Sequence, residues 1–305
     1  MSTESPAATL KAPPLRPARE RLIGLACAMG VLAVWTGFLL SSRFATRQAF
    51  TGWDMAALRY AGSLPVGLAM AAAFGWPRLP PLRCLTLMAT AAFGYPILAY
   101  FGFRYAPTAH AAVLMTGVLP FAAALLGAVF LSEHFSRKRL LSLGVVAGGI
   151  LLLAGDTFGA HPGAWRGDLL FLMACLSWAG FTVLIRRWGV PALTATTMLA
   201  LYPPLLYLPL WWLALPSAMG DASWGAIGYQ LVYQGFFAVV VAGFLYTRAV
   251  NALGSARTTT ITALTPALAA LAAGPLLEEW LGWAGLLGVA LVSIGMVLGV
   301  MSGRR

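Results

Sequence analysis

The chain has 305 residues, of which 60% are hydrophobic and only 10% are charged, and its mean hydropathy is +0.82. Soluble domains contain about 25% charged residues, so this composition excludes an ordinary soluble protein and indicates one that is embedded in a lipid bilayer. The net charge of +11 could suggest a nucleic-acid partner, but the basic residues flank apolar segments, as expected of a membrane topology signal. We therefore predict a lipid bilayer, and no nucleic acid, as a partner.

Residues 1–21 are rich in Pro and Ala and contain mixed charge, which predicts a disordered cytoplasmic tail. Ten apolar segments follow this tail. About 20 apolar residues are needed for a helix to cross the hydrocarbon core, and a span in contact with lipid must be helical because lipid cannot hydrogen-bond to the backbone. We therefore predict an all-α polytopic membrane protein with ten transmembrane helices, at 22–42, 54–75, 84–103, 109–131, 139–155, 168–185, 192–215, 225–247, 256–277 and 281–301.

The distribution of Lys and Arg predicts the orientation of these helices. If the N-terminus is inside the cell, most of the 20 basic residues, including residues 137–139 and 186–187, lie on the cytoplasmic side. Positively charged loops favour the cytoplasm. Both termini are therefore predicted to be cytoplasmic, in a multi-pass protein of the cytoplasmic (inner) membrane.

The first two spans contain candidate residues for contact with a solute. Trp35 and Phe38 lie on one face of the first span, more than one turn inside it, and such aromatic side chains suit a flat or amphipathic organic molecule. The alternative, an interfacial aromatic belt, is typical of span ends. In the second span, Arg59 lies about one turn inside, where it can reach water or pair with Asp54. We assign Trp35 and Phe38 to a predicted substrate cavity.

The fourth span begins with His110 and includes Met115, Thr116 and Pro120. Met115 and Thr116 share one helix face, which predicts a cavity wall, although a Thr hydroxyl can equally bond to its own helix or a neighbouring one. His110 can change its charge near neutral pH and is a candidate for contact with substrate or a proton; solvation at the interface is the alternative. A proline inside a span leaves a kink, so we predict a hinge at Pro120.

The second half of the chain contains counterparts of these residues. Trp178 in the sixth span follows Trp35 by 143 residues, and Pro266, a second predicted hinge, follows Pro120 by 146. Further candidates for the substrate cavity are Thr182, Thr258 and Thr262.

Two glutamates, Glu133 and Glu279, precede the fifth and tenth spans and are also 146 residues apart. An acid near the N-terminus of a helix interacts favourably with the helix dipole. We therefore predict that both residues have a structural role at helix ends.

The repeated pattern indicates that the chain is a duplication of a five-helix unit. Because five is an odd number, the two copies must cross the membrane in opposite directions. Secondary transporters often contain such inverted repeats, with the substrate site between them near the middle of the bilayer. We predict a first repeat at 22–157 and an inverted second repeat at 168–303.

Several stretches occur in an order that is similar to a known family: Asp54 to Arg59, Tyr105 to Glu133, Leu176 to Arg187, and Ala252 to Glu279. Together they resemble the EamA-type transporters of the drug/metabolite transporter (DMT) superfamily. The resemblance implies a ten-helix inverted-repeat fold with a central cavity that carries small metabolites, such as amino acids, sugars, nucleotide sugars or drugs. It also favours export over import.

Other functional classes fit the sequence less well. An intramembrane enzyme would need catalytic groups at one depth, but the three His residues are widely separated and no acidic residue lies in the middle of a span. The ATP-binding pattern G-x-x-x-x-G-K-[ST] is absent. We therefore expect no enzyme activity, metal site or cofactor, and a secondary transporter that moves an amino acid-like or drug-like solute by alternating access. The alternatives are a membrane receptor or scaffold that does not transport, or an intramembrane enzyme, and the chain can be a monomer or a homodimer.

Overall fold

The computed structural model describes residues 18–131, 137–160, 162–253 and 255–302, and helices make up this part of the chain apart from its turns and connecting segments. We number twelve helices within it: α1 (Ala18–Ala45), α2 (Gly52–Phe74), α3 (Pro81–Gly102), α4 (108–117), α5 (Leu119–Leu131), α6 (Arg137–Ala160), α7 (Trp165–Arg187), α8 (Ala192–Ala214), α9 (Trp224–Leu253), α10 (Ser255–Thr262), α11 (Thr265–Leu277) and α12 (Trp283–Ser302).

The start of α1 differs from the sequence prediction. Residues 18–21 were included in the predicted disordered tail, but they form the first turn of this helix. One reason is an ion pair of 2.8 Å between Glu20 and Arg248 of α9, which fixes this turn to the bundle. Residues 1–17 of the predicted tail lie outside the described residues.

Eight helical segments among the described residues are long and apolar enough to cross a membrane, and they coincide with predicted spans one to four and six to nine. Two shorter apolar helices, Leu140–Leu153 and Trp283–Gly299, lie where the fifth and tenth spans were predicted. The all-helical class is thus confirmed, whereas the count of ten crossings stays a prediction.

Two of the predicted spans are interrupted at matching positions. The fourth span breaks at Val118, between α4 and α5, and the ninth breaks at residues 263–264, between α10 and α11. Pro120 and Pro266 are each the second residue of the helix that follows the break. Proline is well tolerated in the first turn of a helix, where its missing N–H has no intrahelical partner to lose.

The third and eighth predicted spans share another irregularity, a segment of wider π-helical turns. These segments are Met88–Gly94 in α3 and Leu231–Val241 in α9. Each inserts extra residues into the helical turn and so rotates the faces on its two sides relative to each other.

The helices pack in a reciprocal pattern. Helix α1 packs against α9 and α11, and α7 packs against α3 and α5; these two sets of partners occupy corresponding places in the two halves of the chain. Two further large contacts join corresponding helices, α2 with α8 and α6 with α12, and α2 also packs extensively against the Leu231–Val241 segment of α9.

The contact between α6 and α12 is the most extensive of all helix pairs and depends on glycine. A Cβ atom at Gly149 would lie 2.6 Å from the carbonyl oxygen of Gly288, so the two backbones touch directly. The flanking contacts are reciprocal: a Cβ at Gly149 would meet Val292 at 2.8 Å, and one at Gly295 would meet Val146 at 2.6 Å. Small residues allow this close approach of helices in membranes.

Substitution of Gly149 by Ala tests the importance of this contact. Because the nearest atom is backbone and cannot move aside, we expect the protein to lose about 1–3 kcal/mol of stability, the usual cost of overpacking. The midpoint of thermal unfolding in detergent measures the effect.

The neighbouring Gly148 provides a matched control, since a Cβ there would meet no atom within 4 Å. Gly148→Ala should leave the midpoint unchanged. Equal midpoints for both variants would show that the α6–α12 contact is not tightly packed.

Candidate functional site

Four aromatic side chains from three helices form a continuous group in the interior of the bundle. Phe38 of α1 lies 6.5 Å from Tyr95 and 6.4 Å from Tyr100, both of α3, between ring centroids. Tyr95 in turn lies 5.0 Å from Trp178 of α7. We call these four residues the aromatic cluster. It joins helices from the two halves of the chain, and its ring separations are typical of favourable aromatic pairs.

A cationic side chain lies against this cluster. The guanidinium carbon of Arg59, in α2, is 5.8 Å from the centroid of the Phe38 ring, within the range of a cation–π interaction. Its charge also acts on the hydroxyl groups of Tyr95 and Tyr100. The site therefore combines apolar ring faces with one fixed positive charge.

A buried hydrogen-bond network supports the cluster from α9. Gln230 and Gln234 are both fully buried, one helical turn apart, and the Tyr100 hydroxyl donates to Gln234 Oε1 at 3.1 Å. The same two glutamines also bond to α1: the Ser41 hydroxyl donates to Gln230 Oε1 at 2.9 Å, and Gln234 Nε2 donates to Ser42 Oγ at 3.2 Å. A network in which the polar groups are paired stabilises one arrangement of the helices.

Geometry of this kind suits the binding of an amphipathic organic molecule. The rings offer flat apolar faces, Arg59 offers charge, and the amide network holds α1, α3 and α9 in register. Pockets for small molecules are commonly lined by apolar and aromatic groups with a few well-placed polar ones.

The structure places the predicted aromatic residues in two groups. Phe38 and Trp178 belong to the aromatic cluster, whereas Trp35 stacks on Tyr246 of α9, with 5.7 Å between centroids. Met115 is buried in the same apolar core as Phe38.

Three of the four predicted threonines bond to the backbone of their own helix. Thr116 donates to the carbonyl oxygen of Ala112, Thr182 donates to that of Trp178 at 2.9 Å, and Thr262 donates to that of Thr258 at 3.2 Å. Thr258 and Thr262 are buried in α10, outside the aromatic cluster. Local bonding of this kind was the alternative interpretation of the pattern, and the role of these residues in a cavity stays a prediction.

His110 lies at the end of the bundle that contains the 46–51 loop. Its side chain is 2% exposed, and its Nδ1 atom is 2.6 Å from Asp168 Oδ1 of α7. This pair connects α4 to the first turn of α7. Contact of His110 with substrate or a proton stays a prediction.

Glu279 lies at the same end and joins several elements. Its Oε1 accepts from Arg43 Nε at 2.5 Å, and its Oε2 accepts from the backbone N–H of Thr108 at 2.8 Å. Arg43 also donates to the carbonyl oxygen of Phe103, and Arg47 donates to that of Leu277. We call Arg43, Arg47 and Glu279 the end clamp. The carboxylate of Glu279 contacts the start of α4, and Glu279 precedes α12, the tenth predicted span. Its structural role at helix ends stays a prediction. Glu133 lies outside the described residues.

Sequence reasoning left several candidate residues out. Tyr95, Tyr100, Gln230 and Gln234 were not assigned to the site, and Arg59 was noted only as an ionisable group near an interface. The two glutamines carried a usable signal, because two amides four residues apart in an otherwise apolar span predict a polar contact inside the bundle.

Comparisons with known proteins agree with this architecture. Residues 165–301 match the profile of the EamA-like transporter family. Two similar proteins of Bacillus subtilis (strain 168) are uncharacterized transporters. YdfC is 30% identical over 234 residues, which cover 73% of this chain and 71% of YdfC. YdeK is 28% identical over 239 residues, which cover 74% of this chain and 78% of YdeK.

A solved crystal structure has the same fold. It superposes with a TM-score of 0.63 at 20% sequence identity, and the match covers 95% of this chain and 99% of the other. At this identity the similarity concerns the fold alone.

The end clamp can be tested by Glu279→Gln. The amide keeps the shape of the carboxylate but loses its charge, so the bonds to Arg43 and Thr108 weaken. Because hydrogen bonds to charged groups contribute about 1.5–3 kcal/mol, we expect the midpoint of thermal unfolding to fall by the equivalent of about 1–3 kcal/mol.

Glu278→Gln is the control, since Glu278 is the adjacent residue, is exposed, and has no ion pair within the described part of the chain. Its midpoint should match that of the unchanged protein. If Glu279→Gln behaves like this control, the clamp contributes nothing to stability.

Proposed function

Because the chain belongs to the EamA-like transporter family and is a multi-pass membrane transporter, we propose that it is a secondary transporter of a small organic metabolite. In this proposal it exports the solute across the cytoplasmic membrane by alternating access, with both termini in the cytoplasm. The observation that supports it most is the aromatic cluster with Arg59, at the meeting point of helices from both halves of the chain.

The proposal includes two inverted five-helix repeats, at 22–157 and 168–303. The reciprocal contacts of α1 with α9 and of α7 with α3 support this arrangement. So do the breaks before Pro120 and Pro266 and the π-helical segments of α3 and α9, which occupy corresponding positions. Helices α6 and α12 would then be the fifth and tenth crossings.

The solute site in this proposal is centred on the aromatic cluster. Phe38 and Trp178 provide ring faces from the two repeats, and Arg59 provides charge. The other predicted cavity residues would line the pathway on either side of this centre: Trp35, His110, Met115, Thr116, Thr182, Thr258 and Thr262.

Alternating access requires the two ends of the bundle to open in turn. The end clamp holds α1, α3, α4 and α11 together in this structure, so one end must release these bonds before it can open. Rocking of the half-helices at Val118 and at residues 263–264 would supply the motion, with Pro120 and Pro266 as hinges. Inverted repeats move in this way around a central site in other secondary transporters.

The transport proposal is tested by metabolite profiling of cells with and without the protein, followed by flux of the accumulated or depleted compounds in proteoliposomes. We expect Trp178→Ala to lower the flux about tenfold or more, because losing one stacked ring removes binding free energy of about 1.4 kcal/mol. Trp212→Ala is the control, since Trp212 is 78% exposed on the outside of the bundle.

Flux of no compound class by folded protein would overturn the transport proposal as a whole. Equal loss of flux in both Trp variants would instead show that Trp178 acts only through general stability, and would remove the aromatic cluster from the proposed site.

The hinge is tested by Pro266→Ala. Alanine restores an N–H at the break and favours a continuous helix by up to about 3 kcal/mol relative to proline, so we expect transport to slow by about threefold or more. Initial flux rates in proteoliposomes measure this change.

Pro275→Ala is the matched control, because Pro275 lies in the same helix but is exposed and far from the break. Its rate should stay near that of the unchanged protein. A normal rate for Pro266→Ala would show that the break does not bend during transport.

A further inference from the structure

Arg59 has no acidic partner among the described residues, unlike two other arginines that lie between helices. Arg43 pairs with Glu279, and Arg248 pairs with Glu20. Arg59 lies seven residues into α2, about 10 Å along the helix axis, and its side chain is half-buried. An ionisable group at such a depth is costly unless something compensates its charge, and it commonly marks a pathway for substrate.

The acidic residue nearest to Arg59 in the sequence, Asp54, already has hydrogen-bond donors around its carboxylate. Asp54 is fully buried, and its carboxylate accepts hydrogen bonds from Trp211 Nε1 at 3.0 Å, Ser217 Oγ at 2.6 Å and the Ala218 N–H at 3.0 Å. It also caps its own helix by accepting from Thr51. Five residues along a helix correspond to a rotation of about 140°, so Asp54 and Arg59 point to different sides.

The hydrogen-bonding capacity of Arg59 is also little used. A guanidinium group has five N–H donors. Arg59 donates to the Gln234 carbonyl oxygen at the long distance of 3.5 Å and hydrogen-bonds to the Tyr100 hydroxyl, which together use two of the five donors. Beside it are the Phe38 ring at 5.8 Å and the hydroxyls of the cluster tyrosines. Donors are therefore left for an acceptor that the protein itself does not provide.

We propose that Arg59 binds the anionic group of the transported solute, and that this transporter selects organic monoanions with a flat apolar body. The proposal rests on the proposed transport function and names its substrate class. A carboxylate matches the planar fork of a guanidinium, which can bond to both oxygens. The apolar body would then lie against Phe38, Tyr95 and Trp178.

The same geometry disfavours cations and zwitterions. A cation would be repelled by Arg59. The ammonium group of a zwitterion would need an acceptor beside the cluster, and among the described residues the nearby carboxylate, Asp54, is committed to other donors. We therefore expect monoanions to bind more tightly than zwitterions, neutral amides or amines of the same shape.

Four probes with similar rings test this order: benzoate, L-phenylalanine, benzamide and benzylamine. Thermal stabilisation of the purified protein gives their relative affinities. We expect benzoate to bind at least about tenfold more tightly than benzamide, the ratio given by one charged hydrogen-bonded contact. In Arg59→Gln this preference should disappear, while the weak binding of benzamide stays the same.

Two further variants separate recognition from folding. Arg59→Lys keeps the charge but loses the planar fork, so it should retain part of the preference for benzoate. Arg104→Gln removes an exposed arginine from the end of α3 and should retain all of it. If Arg59→Gln does not fold, the order of the four probes on the unchanged protein and on Arg59→Lys still decides the question.

Counterflow of the four probes in proteoliposomes distinguishes this inference from the transport proposal. Flux of benzylamine or benzamide without flux of benzoate would overturn the anion site and leave the transporter intact. Anion flux that Arg59→Gln does not reduce would also overturn the role of Arg59. Binding of benzoate without flux of any solute would support the site and contradict transport.

Discussion

The lipid bilayer offers no hydrogen-bonding partners, and this constraint shapes nearly every polar contact in the protein. Thr116, Thr182 and Thr262 return their hydroxyls to the backbone of the preceding turn. Gln230 and Gln234 bond to each other and to serines of α1. A polar side chain in this bundle is therefore usually satisfied by the bundle itself, and this regularity makes the underused donors of Arg59 informative.

The same constraint explains how the broken helices are tolerated. A break releases backbone donors and acceptors that need new partners. At the break between α10 and α11, the Thr265 hydroxyl donates to the Thr262 carbonyl oxygen at 2.7 Å, and Pro266 brings no N–H that would need an acceptor. Thr265 and Pro266 are both fully surrounded by protein. The helix can thus break here while the Thr265 hydroxyl satisfies one freed carbonyl oxygen and Pro266 adds no unpaired donor.

Much of the fold could be predicted from the sequence, because hydropathy alone locates apolar helices. The predicted faces of the first and sixth spans contain Phe38 and Trp178, whose rings contact α3, and their role in a cavity stays a prediction. The contribution of α3 was harder to find in this way, because the π-helical segment directly before Tyr95 shifts the phase of the helix from a period of 3.6 residues. The glutamines of α9 carried a signal, but their partners on α1 and α3 depend on tertiary packing. The partner of Glu279 was missed for a different reason, since Arg43 is 236 residues away and only tertiary packing joins them.

The distribution of tight and loose contacts limits which parts of the protein can move. At the α6–α12 contact two backbones touch through Gly149 and Gly288, so separation there would lose close packing that no side chain could replace. The half-helices α5 and α11 are instead joined to α4 and α10 through a short break. In the proposed alternating access, a change of shape that preserves the α6–α12 contact would use the breaks as the positions where the backbone absorbs the rotation. Because the aromatic cluster lies between α1, α3 and α7, outside that contact, this motion would change access to the cluster without separating α6 from α12.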